Sequence, residues 1–151
     1  MKRITPFLWF DNQAEDAMNH YVAIFRNSKI LNVNRSNGKV LLASFELDGQ
    51  QFLALNAGPQ FTFTEAVSFY VSCETQAEVD EYWDKLSAGG EEGRCGWLKD
   101  KFGLSWQIVP AALTRLMNDP NPAKAHAVVN AMMKMKKLVI ADLERAYTSA
   151  V

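Results

Sequence analysis

The chain has 151 residues, 48% of them hydrophobic and 22% charged, and its 16 Lys and Arg nearly balance 17 Asp and Glu for a net charge of −1. That length suits one domain or two small modules sharing a core, and the composition argues against disorder for the bulk of the chain. Without a basic stripe it has no electrostatic footprint for nucleic acid or an anionic membrane, so neither is expected as a partner. No apolar run reaches the roughly 20 residues that span a bilayer. Pro6 and Asp11 interrupt the apolar segment that follows Lys2 and Arg3, which argues against a signal peptide. Cys73 and Cys95 are too few for a disulfide framework and lack metal-type spacing, so free thiols and a cytoplasmic setting are expected.

Residues 4–10 read as a strand, with Thr5, Phe7 and Trp9 on one face and Ile4, Pro6, Leu8 and Phe10 on the other. Asp11 or Asn12 then offers a helix N-cap, with Glu15 and Asp16 in the first turn, where carboxylates meet the positive end of the helix dipole. Ala14, Ala17, Met18, Tyr21 and Phe25 follow at helical spacing, and Asn27-Ser28 closes the helix. A second strand covers residues 29–35, and Asn37-Gly38 signals a hairpin into an alternating strand at Lys39–Leu47. Asp48-Gly49 is another tight turn, leading to a fourth strand at residues 51–56.

The order then repeats. Residues 65–73 alternate like the first strand, and Gln76-Ala77-Glu78 repeats Gln13-Ala14-Glu15 at an offset of 63 (76 − 13), which pairs Thr5 with Ser68 and Phe7 with Tyr70. An amphipathic helix follows with Val79, Tyr82, Trp83 and Leu86, and Gly89-Gly90 ends it. Together these features indicate an internal duplication. The remaining strands crowd into residues 91–109. The last of them sets Leu104, Trp106 and Ile108 against Ser105, Gln107 and Val109. Beyond Pro110 the pattern is helical. Asp119-Pro120-Asn121-Pro122 separates a short helix from a long one that carries Val128, Met132, Met135, Val139 and Leu143 in one stripe. With no obvious place in a finished sheet, that stripe is expected to dock across a subunit boundary in a homodimer.

Few side chains suggest chemistry. Glu46 shares a strand face with Ser44 and is the one candidate general base, while Cys95 beside Arg94 is the one candidate reactive thiol. His20 and His126 form no ligand pair, Asp100-Lys101-Phe102-Gly103 reads as a turn, and Lys134, Lys136 and Lys137 as a solvated face. Phe7, Trp9, Phe52, Tyr70 and Trp106 could wall a cleft for a planar ligand, although core packing explains most such residues.

The duplicated strand-helix-strand-strand-strand unit, with T-P-F-L-W-F, D-G-Q-Q-F-L-A-L-N-A-G-P and C-G-W-L-K-D-K-F-G-L-S-W-Q-I-V-P, resembles the PhnB-like branch of the vicinal-oxygen-chelate superfamily along nearly the whole chain. The superfamily includes glyoxalase I, bleomycin-resistance proteins and extradiol dioxygenases. The resemblance implies an α+β fold: two βαβββ modules, at about 1–60 and 61–110, forming a curved mixed sheet, with C-terminal helices at about 111–148, all one glyoxalase-like domain over 1–151. In metal-using relatives four side chains from the first and last strands of the modules hold one divalent ion. Those positions fall on Thr5, Ser68, about Asn56 and Gln107. Two hydroxyls and two amides supply no charge to compensate a cation for lost hydration, so neither metal nor cofactor is expected. The same four residues, with Phe7, Trp9, Tyr70 and Trp106, form the expected ligand-binding set. The expected function is a metal-free small-molecule-binding protein of unidentified ligand. The alternative is an enzyme of lyase, isomerase or dioxygenase type with an atypical or weak metal site. The branch is also labelled a ubiquinone-pathway methyltransferase, but the sequence has no glycine-rich strand-to-helix turn of the kind a nucleotide-like cofactor needs.

Overall fold

The structure is a computed structural model that describes residues 3–150. Its elements fall into two units that divide between Thr62 and Phe63. The first runs β1 (Phe7–Phe10), α1 (Ala14–Ile24), β2 (Lys29–Ser36), β3 (Lys39–Leu47) and β4 (Gln50–Asn56). Its sheet has the order β1-β4-β3-β2, with β1 parallel to β4 and the other pairs antiparallel. Two hairpin turns set the register. Asn37 (φ 54°) with Gly38 (φ 78°), and Asp48 (φ 48°) with Gly49 (φ 80°), place both central residues in the left-handed region, the turn whose twist matches the flanking strands.

Alternation then sorts the side chains. Leu8, Phe10, Phe45, Phe52 and Ala54 are buried together with Ala17, Met18 and Tyr21 of α1, and the Phe45 and Phe52 rings stack 5.5 Å apart. Phe7, Trp9, Leu53, Leu55, Ser44 and Glu46 fall on the opposite face by strand register. The first strand is shorter than its sequence suggests. Pro6 has no N–H to give a ladder, yet its carbonyl accepts from Leu53 N (2.9 Å), so pairing begins with a bond that proline can make. Thr5 therefore precedes the strand.

The second unit repeats the order in β5 (Ser68–Cys73), α2 (Gln76–Ser87), β6 (Glu91–Glu92), β7 (Trp97–Lys99) and β8 (Ser105–Pro110), with sheet order β5-β8-β7-β6. Thr75 caps α2, its hydroxyl oxygen accepting from Glu78 N (3.2 Å). Val79, Trp83 and Leu86 bury against the β7–β8 face that carries Leu98, Trp106 and Ile108. The Asp100 turn is built on its buried carboxylate: Oδ1 accepts from Phe102 N (2.8 Å) and Leu104 N (3.0 Å), and Oδ2 from Trp106 Nε1 (2.9 Å).

The C-terminal extension differs from its expected form. It is three helices, α3 (Ala111–Met117), α4 (Pro122–Met132) and α5 (Ile140–Ser149), with the expected long helix broken at residues 133–139. Tertiary hydrogen bonds to the second unit replace the helical ones there. Cys95 N donates to Met135 O and Gly96 N to Lys136 O, both at 2.8 Å. The Gln76 side chain donates to Leu138 O (3.0 Å) and accepts from Ile140 N (2.8 Å), while Lys137 Nζ reaches Asp80 Oδ1 (2.9 Å). Gly96 permits the approach: a Cβ there would lie 3.0 Å from Leu138 Cδ1 and 2.9 Å from Ile108 O.

The apolar stripe is accordingly covered within the same chain. Val128, Leu138 and Leu143 bury with Val109, Leu113 and Leu116, and Met132, Met135 and Tyr147 pack on this cluster. The premise that the stripe requires a second subunit is corrected: its partner groove is the end of β8 and α3. Among the described residues no helix is long and apolar enough to cross a membrane.

Candidate functional site

Three strands of the second unit bring one row of side chains into line. Tyr70 on β5 pairs with Gln107 on β8, and Gln107 with Trp97 on β7, so an amide is flanked by an aromatic residue on each neighbouring strand. Side chains in register point to the same face, here the one opposite Trp106 and Ile108. Gln107 Nε2 donates to Ser68 Oγ (3.0 Å), which fixes the amide plane. Above this row lies a cavity of about 330 Å³. Tyr70, Trp97, Gln107, Val109 and Cys95 form its sheet side; Leu113, Thr114, Met117, Asn118 and Met132 of the extension form its wall. No Asp, Glu, Lys, Arg or His lines it. On the same sheet face Ser105 is only 1% exposed, and its Oγ has no hydrogen-bond partner. An orphaned buried hydroxyl costs on the order of 1–3 kcal/mol, a cost of the kind found where a ligand or water supplies the missing bond.

Within the second unit the structure brings Ser68, Tyr70, Cys95 and Gln107 together and turns Trp106 away from them. Trp106 lies on the helix-facing side of β8, buried and bonded to Asp100, with its ring 5.5 Å from Phe69. Asn56 lies on the α1 side of its own sheet, where its Oδ1 accepts from Ala14 N (2.9 Å) and its Nδ2 donates to Val40 O (3.0 Å). It thus caps α1, a role that the sequence suggests for Asp11 or Asn12; Gln13 holds the N-cap position without a side-chain bond.

Strand register explains the displacement of Asn56. Phe7 pairs with Leu53 and Tyr70 with Gln107, so Leu53 corresponds to Gln107 at an offset of 54 (107 − 53), against 63 (70 − 7) for the first strands. In the first unit Phe7 is 53% exposed, matching Tyr70 at 56%. Trp9 is half-buried, its indole N–H bonded to Gly58 O (2.9 Å) and its ring edge-on to Phe61 at 4.9 Å. Thr5 sits half-buried before β1. Glu46 shares the Phe7 face and lies 3.8 Å from Lys29 Nζ. Burial pushes the Cys73 thiol up to about 12, with Glu78 and Glu74 adding to the shift, so it is not a nucleophile.

Sequence reasoning missed Trp97 and the whole helical wall. Trp97 was legible in principle, since it follows the positive-φ pair Cys95 (φ 58°) and Gly96 (φ 83°) that turns the chain into β7. The wall had no signal, because it depends on how the extension folds back.

The model of the 3-demethylubiquinone-9 3-methyltransferase family matches residues 2–109. The chain belongs to that family. Among solved structures, the PhnB protein of Bacillus cereus, described as a 3-demethylubiquinone-9 3-methyltransferase, is 38% identical, with a TM-score of 0.70 over 73% of this chain and all of that one. Protein PA1353 from Pseudomonas aeruginosa is 17% identical with a TM-score of 0.61, covering 72% of this chain and 96% of its own. The fosfomycin resistance protein FosX from Mesorhizobium loti is 10% identical with a TM-score of 0.50, covering 70% and 89%. These last two likenesses show the fold alone. No curated protein matches. Helices α3 to α5 lie beyond the residues matched to the family.

The superfamily implies a divalent ion at its strand positions, and this family member's side chains do not fit one. Register puts Leu53, Ser68 and Gln107 at those positions and the repeat offset puts Thr5 there, ahead of β1; none offers a carboxylate, imidazole or thiolate. Among the described residues no three His, Cys, Asp or Glu side chains converge.

Proposed function

We propose that this chain is a small-molecule-binding protein that operates without a metal ion, taking a planar, largely apolar ligand over Gln107. The observation that carries the reading is the uncharged cavity of about 330 Å³ on the sheet face where Ser68, Tyr70 and Gln107 meet. Its size lies within the range of about 300–1,000 Å³ usual for ligand pockets, and a few polar groups among apolar walls is the usual make-up. The family's label describes methyl transfer, but none of the three strand-to-helix connections, residues 11–13, residues 74–75 and the direct Pro110–Ala111 junction, contains a glycine to let a cofactor phosphate or a similar group approach the backbone. The test is a thermal-shift screen of small molecules on the purified chain, run with and without added zinc, nickel, manganese and iron. Stabilisation by planar organic ligands that a chelator leaves unchanged is the expected result. About one tightly held divalent ion per chain, needed for ligand stabilisation, would overturn the reading.

A further inference from the structure

We propose that the C-terminal extension is the selectivity element of this cavity, and that the cavity takes a neutral bicyclic aromatic molecule bearing one hydrogen-bond donor while rejecting carboxylates of the same shape. This rests on the reading of the chain as a small-molecule-binding protein and adds the ligand class and the residues that choose it. Size comes first: about 330 Å³ is at the low end for a ligand pocket and has room for two fused rings. Shape follows from register. Tyr70 and Trp97 sit one strand to either side of Gln107, at roughly 4.8 Å per strand, so a flat ring can lie along the row in contact with both aromatics and the amide plane.

Polarity follows from Gln107. One of its two Nε2 N–H groups is committed to Ser68, which leaves the amide oxygen as the acceptor for an N–H or O–H on the ligand beside one remaining N–H. Charge is decided by the wall. Leu113, Thr114, Met117, Asn118 and Met132 contribute no cation, so a carboxylate would lose its hydration without a counter-charge. Met117 and Met132 add flexible thioethers, which adapt to aromatic faces. All five wall residues lie beyond residue 109, so the wall is supplied by the extension and not by the strands of the modules.

The experiment uses the full chain with methyl-labelled methionine and follows NMR titrations with naphthamide and with naphthoate, the same rings differing in charge. Naphthamide should move the methyl signals of Met117 and Met132 and leave Met18, buried in the other unit, in place. Naphthoate should bind at least about ten-fold more weakly. Thr114→Trp, on the exposed side of α3, should fill the cavity and weaken naphthamide about ten-fold or more; the wild-type methyl shifts stand as the test if that variant does not fold. Equal binding of both probes, or naphthamide binding that leaves Met117 and Met132 unmoved, overturns this proposal and leaves the binding-protein reading intact. If neither probe binds and the broad thermal-shift screen is also empty, both fail.

Discussion

Asn56→Ala separates a structural amide from a ligand-binding one. In the wild type Asn56 Oδ1 takes the first N–H of α1 and Nδ2 reaches Val40 O, and both Ala14 and Val40 are buried. Alanine leaves a buried donor and a buried acceptor without partners, at about 1–3 kcal/mol each. Allowing for relaxation, the expected loss is about 2–4 kcal/mol. Asn56→Asp keeps the acceptor, and a carboxylate suits a helix N-terminus. It loses the bond to Val40, so its expected cost is roughly half as large. Urea unfolding followed by far-UV circular dichroism measures both. With a slope of about 2 kcal/mol/M, the alanine midpoint should fall by about 1–2 M. A change below about 0.5 kcal/mol, together with impaired ligand binding, would show that the amide serves the ligand, as the sequence alone suggests, and that the capping argument is wrong.

Gln76→Ala removes both bonds that hold Leu138 and Ile140, so trypsin should cut after Lys134, Lys136 or Lys137 several-fold faster; an unchanged cleavage rate would deny the clamp. Asp80 is held below the ordinary carboxylate range, first by the Gln76 amide and then by Lys137. A depressed carboxylate stabilises the fold above its unfolded pKa and loses that contribution as pH falls through the folded value, so cleavage within residues 133–139 by an acid-tolerant protease should accelerate below about pH 4 and do so less in Asp80→Asn. Truncation after Pro120 uncovers Val109, Leu113 and Leu116, and the shortened chain should bind an apolar fluorescent dye and melt earlier whatever its state of assembly; an unchanged melting curve would contradict the packing described. A thiol reagent at about pH 8 should label Cys95, which is half-exposed, and leave Cys73 unmodified until the chain unfolds.

Much of this architecture is legible in the residues themselves. Asn37-Gly38 and Asp48-Gly49 announce both hairpins, and the alternation of Phe7 with Leu8 and of Tyr70 with Val71 gives the correct sides of the first strands. The failures have physical causes. One repeat offset cannot map both ends of a module when the second has lost nine residues (63 − 54) between its first and last strands, and register puts the position matching Gln107 at Leu53, three residues (56 − 53) before the Asn56 that the resemblance implies. Helical periodicity runs unbroken through Ala-Met-Met-Lys-Met-Lys-Lys-Leu-Val-Ile with no glycine or proline to stop it. The break at residues 133–139 comes from partners 40 to 64 residues away, Cys95, Gly96 and Gln76, which no local pattern contains. The cavity was half-legible for the same reason: its sheet side follows from strand register, and its wall from that distant docking.

The clamp at Gln76 also sets a schedule for the chain as it leaves the ribosome. The first unit has all four of its strands once Asn56 has been made. The second has its last strand at Pro110, but the strip of Val109, Leu113 and Leu116 has no cover until Leu138 and Leu143 arrive. At about 5–20 residues per second, the 34 residues from Val109 to Leu143 take about 2–7 s to synthesise. Until Leu138 and Leu143 can dock, the second unit keeps a bare apolar strip that its own strands do not cover.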